Sequence, residues 1–415
     1  LDGSPTPKFR QIETAEVVPG RDASTDVFRY KGRLYAIKHP GMFFLGTLAY
    51  KPLSLCGLRY ETHFPLATAL VSWLTSGLIA ALAGMLLFLR SREAGLSIHA
   101  SLVTALCPSL ASPIFAYSGI LHHDLIGGCL LLLSWLIITK KEESSHIKTA
   151  TGGLLAGFAF TTTPLAAFFI VPIALHAALR GGWRTGAFFA AGMAAGVAPL
   201  LLYNAAAFDN PFLLPNHAAG VRDTMAHLSS APLGEKFIWY FLSPRTAIWA
   251  YAPWVVFAAG GFAHALARRA WDMACALAGI LLLTAYVFTI SSYGGAQFGP
   301  RYLLPALPLL AVGLIPALNW IGEPGKRQEP LRKTAHIVLG IAFCAGVCIC
   351  LSGALRGTMH GMELHPFIQR VRVGMGLRGI EEAPGAFPLV YPLSFSAAAV
   401  FYFFPEKKGV VNSAQ

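Results

Sequence analysis

The chain is short of charge. Lysine, arginine, aspartate and glutamate make up 13% of its 415 residues, against about a quarter in an ordinary soluble domain, while 55% are hydrophobic. That balance excludes a water-soluble globule and indicates a protein with several membrane spans. Acids are the scarcer sign, 20 against 32 Lys and Arg, for a formal net charge of +12. In a soluble chain this excess would suggest nucleic acid, but here the basic residues sit in separate loops and form no stripe. Membrane orientation and anionic lipid account for them, and no nucleic-acid partner is expected.

Familiar catalytic signatures are also missing. There is no G-x-x-x-x-G-K-[ST] loop, G-x-G-x-x-G fingerprint, G-x-S-x-G elbow or H-E-x-x-H helix, so nucleotide, hydrolase and zinc-protease readings have no support. Of seven cysteines, six lie inside apolar runs, with no C-x-x-C pairing that would argue for zinc or redox work. They read as small core residues. No repeat and no low-complexity linker divides the chain, which reads as one integral unit. Residues 1–41 are polar and contain no signal peptide.

What is present is apolar helix. A span needs about 20 apolar residues, fewer where neighbours bury it, and on that ruler the chain is an all-α polytopic bundle of eleven helices. They fall at 65–89, 98–118, 125–139, 150–162, 164–180, 185–204, 248–266, 273–292, 302–319, 335–355 and 388–404. The pair within 150–180 could be two spans or a re-entrant hairpin. The loops at 90–97, 140–149, 180–185, 267–272, 320–334 and the tail at 405–415 hold 15 of the 32 Lys and Arg in 56 residues, which makes them the cytoplasmic set. The outer set comprises a head over 1–64 with an interfacial helix at about 42–57, the 119–124 turn and loops at 205–247, 293–301 and 356–387. An outer head requires an earlier span, so about twelve helices are expected in the complete protein.

The residues with chemistry fall mostly on the outer set. In GAQFGPRYLLPALPLL, Gly299 and Pro300 break the helix just before Arg301 and Tyr302, at the mouth of a long apolar run. An arginine there reaches the headgroup region, where its planar fork suits a phosphate. In GRLYAIKHPGMFFL, Lys38 and His39 precede a Pro-Gly turn and can present a point charge at the same plane. The plain alternative is a snorkelling anchor. YSGILHHD places His122, His123 and Asp124 at the outer end of a span, where ionisable residues mark cavities. Asp124 could be a general base or hold a substrate hydroxyl, the trio could ligate a metal with a further partner such as His39, or Asp124 could merely cap its helix. PLLLYNAAAFDNPF with Asn204 and FLSPRTAIWAYAPW with Arg245 read as cavity rims.

In this order, the segments TDVFRYKGRLYAIKHPG, YSGILHHD, PLLLYNAAAFDNPF, FLSPRTAIWAYAPW and GGAQFGPRYLLPALPLL resemble the bacterial GT-C type membrane glycosyltransferases. These use polyprenyl- or dolichyl-phosphate sugars and include protein O-mannosyltransferases and aminoarabinose transferases. The resemblance runs over residues 25–310. It implies a donor lipid phosphate at the extracytoplasmic face of the bacterial inner membrane, with Lys38 matching the family's first-loop lysine and Arg301 as a phosphate partner. The family's base is an aspartate of the first outer loop, close behind a first span that this sequence lacks, and Asp26 is the aspartate inside a matching piece.

The expectation is therefore sugar transfer from a polyprenyl-phosphate carrier to an acceptor glycan, lipid or protein. Asp26 and Asp124 are the candidate catalytic residues, and Lys38, His39, His122, His123, Asn204, Arg245, Arg301 and Tyr302 bind substrate. A divalent metal is compatible with the chemistry, although no motif requires one. A transporter or lipid flippase is the alternative, disfavoured because charges gather at one face and no inverted repeat is visible, and a non-catalytic scaffold is the third reading.

Overall fold

A computed structural model of the chain describes residues 27–140, 145–219, 233–243, 246–290, 298–322 and 329–356. The first described element is one the sequence reading did not include, an antiparallel hairpin of β1 (Val27–Tyr30) and β2 (Arg33–Ala36). Its two turn residues, Lys31 and Gly32, have φ of 47° and 81°, the left-handed pair whose twist suits a two-residue hairpin. Phe28, Tyr30 and Tyr35 pack around Phe208, and Lys31 pairs with Asp209, so the hairpin is pinned to the end of a later helix.

Helix α1 (Gly41–Leu55) follows, with Phe43, Phe44, Leu48 and Leu55 exposed along it. Next come α2 (Tyr60–Glu93), α3 (Ile98–Leu110) and α4 (Pro113–Ser118). The helix expected over 98–118 is broken at Ser112, whose hydroxyl accepts from the Ile114 amide and caps α4 just before Pro113. Helix α5 (His123–Thr139) is the centre of the bundle, with 13 of its 17 residues buried.

Helix α6 (His146–Thr162) leads into α7 (Pro164–Phe208), which Gly182 (φ 75°, ψ 179°) folds into two arms. Gly153 lies against Phe189 and Gly157 against Met193, while Gly192 lies against Ala150 and Gly196 against Leu154. Residue numbers rise together along this contact, so α6 and the second arm run parallel. The first arm therefore returns along α6, and the 150–180 stretch is a pair of antiparallel helices.

The remaining described helices are α8 (Pro215–Ala218), α9 (Leu233–Phe237) with a π-turn at Ile238–Leu242, α10 (Ile248–Tyr251), α11 (Val255–Ala267), α12 (Trp271–Thr289), α13 (Arg301–Gly322) and α14 (Glu329–Arg356). The single helix expected at 248–266 is two pieces because Ala252, directly before Pro253, is held out of helical geometry (φ −141°, ψ 73°). The expected helix at 388–404, the loop at 356–387 beyond Arg356, and the tail at 405–415 lie outside the described residues.

The loops separate into two ends as their basic content suggests. At one end, Arg90 and Arg180 both donate to the Thr139 carbonyl (3.4 and 3.1 Å), neutralising the C-terminus of α5. There too Trp135 Nε1 donates to the Asp272 carbonyl at 3.1 Å, and the Asp272 carboxylate meets His176 at 3.0 Å. The other end gathers the hairpin, the start of α5, the α6–α7 junction and the start of α13.

Among the described residues five helices, α2, α7, α12, α13 and α14, are long and apolar enough to cross a membrane. The first arm of α7 exposes Val171, Leu175 and Leu179, 57 to 78% accessible, at four-residue spacing. Such a stripe would aggregate in water and is at home against acyl chains. The protein is an integral membrane protein.

Candidate functional site

The site is built on the first turn of α5. Asp124 is the sole buried carboxylate among the described residues, and its Oδ1 accepts a 2.8 Å hydrogen bond from the Thr163 hydroxyl. His122 holds the N-cap position, and no side chain caps the helix, so the capping role considered for Asp124 does not apply. His123 Nε2 lies 3.5 Å from Asp124 Oδ1. The rings of His122 and His123 stack at 4.9 Å and 20°, and the His122 amide donates to Ser76 Oγ at 3.1 Å. Ser76 is in the π-turn Trp73–Gly77 of α2.

Three other segments converge here. His39, two residues beyond the hairpin's last neighbour Ile37, is 2% exposed, and its Nδ1 pairs with the Phe160 carbonyl at 3.1 Å near the α6–α7 junction. Tyr117 on α4 donates from its hydroxyl to the Phe298 carbonyl at 2.9 Å and lays its ring 4.5 Å from that of His122. It thereby ties the entry to Arg301 to the α5 turn. Gly299 sits at φ +71° against the Tyr251 ring, a conformation that a side chain resists. After it Arg301 opens α13, its guanidinium 5.1 Å from the Tyr302 ring centroid, and its Nε is buried with no hydrogen-bond partner among the described residues.

These groups lie within electrostatic reach of one another. Lys38, Arg301 and Asp124 all act on His122, and Lys38, Arg301 and His39 act on His123. Burial pushes the His122 imidazole down to about 3 and that of His39 down to about 4, so both are neutral near pH 7. The arrangement is a buried carboxylate and neutral imidazoles flanked by two cations from elements far apart in sequence.

Of the residues expected from sequence, Lys38, His39, His122, His123, Asp124 and Arg301 come together, with Tyr302 alongside. Asn204 does something else: its Nδ2 donates to the Pro211 carbonyl at 3.1 Å and so shapes the turn that ends α7. Asp26 and Arg245 lie outside the described residues. Sequence reasoning passed over Thr163, Ser76 and Tyr117. Tyr117 carried a signal, since it heads the YSGILHHD segment, whereas Thr163 and Ser76 are recruited through tertiary contacts that no local pattern announces.

This helical bundle, with its polar centre at one end beside a short β-hairpin, has a known fold. Two solved structures share it. ArnT from Cupriavidus metallidurans bound to undecaprenyl phosphate superposes with a TM-score of 0.54 at 15% identity, and the apo state of the same protein gives 0.51 at 16%. Each match covers 91% of this chain and 67% of the ArnT chain. No protein-family profile and no curated protein matches the sequence.

Proposed function

We propose that the protein transfers a sugar from a polyprenyl-phosphate carrier to an acceptor on the extracytoplasmic face of the bacterial inner membrane. The observation that carries the reading is a buried His122–Asp124 turn with Lys38 and Arg301 within electrostatic reach of it, at one end of a fold whose solved example holds undecaprenyl phosphate. In the reaction, an acceptor hydroxyl or amine attacks the anomeric carbon as the carbon–oxygen bond to phosphate breaks. Its proton passes to a carboxylate, Asp26 or Asp124, and the lipid phosphate departs with the bond's electrons. Most of the catalysis is then positioning and electrostatics: Arg301 offers a two-pronged donor and Lys38 a point charge to the departing phosphate. His39 and His122, neutral, can hydrogen-bond sugar or phosphate oxygens without adding charge. Confinement of these groups to one end speaks for surface chemistry and against a transport pathway, which needs charge at mid-depth.

The test is transfer from a radiolabelled polyprenyl-phosphate sugar by full-length protein in membranes, with expression matched between variants. Arg301→Ala should lower turnover at least tenfold. Undiminished turnover in that variant would make Arg301 an interfacial anchor and remove the basis for the reading.

A further inference from the structure

We propose that His122, His123 and Asp124 form a three-ligand site for a divalent transition metal of zinc-like preference, leaving one coordination position for a phosphate oxygen. The inference rests on the donor-phosphate reading for the occupant of that last position only. Among the described residues this trio is the one group of histidine, cysteine and acidic side chains whose ligand atoms converge, all lying within 4.8 Å of one another. A tetrahedral site with metal–ligand distances of about 2.0–2.2 Å separates its ligand atoms by about 3.3–3.5 Å. The 3.5 Å between His123 Nε2 and Asp124 Oδ1 already meets this, and the His122 ligand atom lies within 4.8 Å of both.

A second observation points the same way. His122 is 6% exposed, and its Nδ1 is buried with no hydrogen-bond partner, an arrangement a bound cation would satisfy. Support from behind is also in place, since Thr163 fixes the carboxylate of Asp124 through its hydroxyl, as outer partners of metal ligands do. His39, with its bare Nε2, is within electrostatic reach of Asp124 but is not part of the converging trio.

Charge decides the behaviour to expect. The N-terminus of α5, Lys38 and Arg301 all oppose a cation, and Asp124 alone offsets them. A metal should bind the bare protein weakly and be strengthened by an anion at the open position. By reciprocity, metal should tighten phosphate binding by the same factor. The metal would also divide the two candidate aspartates: Asp124 becomes a ligand and the acceptor proton falls to Asp26.

The experiment uses the metal-stripped full chain in lipid nanodiscs, titrated with Co2+ and followed by its visible absorption, with and without undecaprenyl phosphate. One tetrahedral Co2+ per chain is expected, with affinity raised about tenfold by the lipid. Asp124→Asn and His123→Gln keep shape and should lose the absorption while their thermal unfolding stays cooperative. No Co2+ binding under either condition, or binding that persists in both variants, overturns the site. If labelled undecaprenyl phosphate still binds when Co2+ does not, the metal proposal falls and the transfer reading stands. If Co2+ binds to the trio but the lipid changes nothing, the metal site stands and the donor-phosphate reading loses its support.

Discussion

Arg301 owes its role to shape as much as to charge. A lysine in its place keeps the cation but loses the planar fork, so Arg301→Lys should weaken donor use by about 1–3 kcal/mol in kcat/KM, whereas Lys38→Arg should be milder. Equal kcat/KM for wild type and Arg301→Lys would show that no bidentate contact is made. Thr163 can be tested separately, because it reaches the chemistry only through Asp124. Thr163→Val keeps the volume but strips the buried carboxylate of its 2.8 Å donor, a loss of about 1–3 kcal/mol in stability, visible in chemical denaturation, with a parallel fall in activity. Thr163→Ser should recover both. A valine variant as stable and active as wild type would mean that Asp124 draws its support elsewhere.

Elements, more than single residues, determine whether the cations meet the carboxylate. Helix α5 carries Asp124 at its start, and one turn later Gly128 touches the backbone of Pro305 on α13, where an added Cβ would come within 2.7 Å of a carbonyl oxygen. Backbone cannot yield as a flexible side chain would. Gly128→Ala should therefore push the Arg301–Ala306 turn away from α5, costing about 1–3 kcal/mol of stability and far more activity than that loss of folded protein explains. Thermal unfolding and transfer rate, measured on one preparation, separate the two effects, and unchanged values for both would mean that α13 does not set the position of Arg301. The helices themselves were legible because their apolar runs exceed what a soluble core demands, and the His122–Asp124 turn because charge at a span end is costly. The hairpin was missed although it was readable: VFRY and RLYA flank a two-residue Lys31-Gly32 turn, but the strands are only four residues each and their buried partner, Phe208, lies 180 residues from Phe28. Thr163, by contrast, could not be found from sequence, since a threonine before proline is common at helix junctions and only the packing of the α6–α7 junction beside α5 brings it to the carboxylate.

At the scale of the molecule, the division of loops into two ends turns a statistical rule into a physical one. The basic loops meet one another: Arg90 and Arg180 share the Thr139 carbonyl, and Asn319 reaches the Ala94 carbonyl at 3.5 Å. The hairpin, the α5 turn and the start of α13 meet at the opposite end, where His39 binds the Phe160 carbonyl and Tyr117 the Phe298 carbonyl. If basic loops stay inside, Arg33 on the hairpin and Ser145 before α6 must face opposite compartments. Both are exposed in the structure, so single cysteines placed there can report their side. Among the described cysteines only Cys56 is exposed, and a Cys56→Ser background removes its signal. With a membrane-impermeant maleimide on intact cells, Arg33→Cys should label at once, and Ser145→Cys only after the membrane is permeabilised. Labelling of both, or protection of both, would break the opposition of the two ends. Reversed labelling would keep the bundle intact but place the Lys38–Arg301 site in the cytoplasm, where an extracytoplasmic acceptor could not reach it.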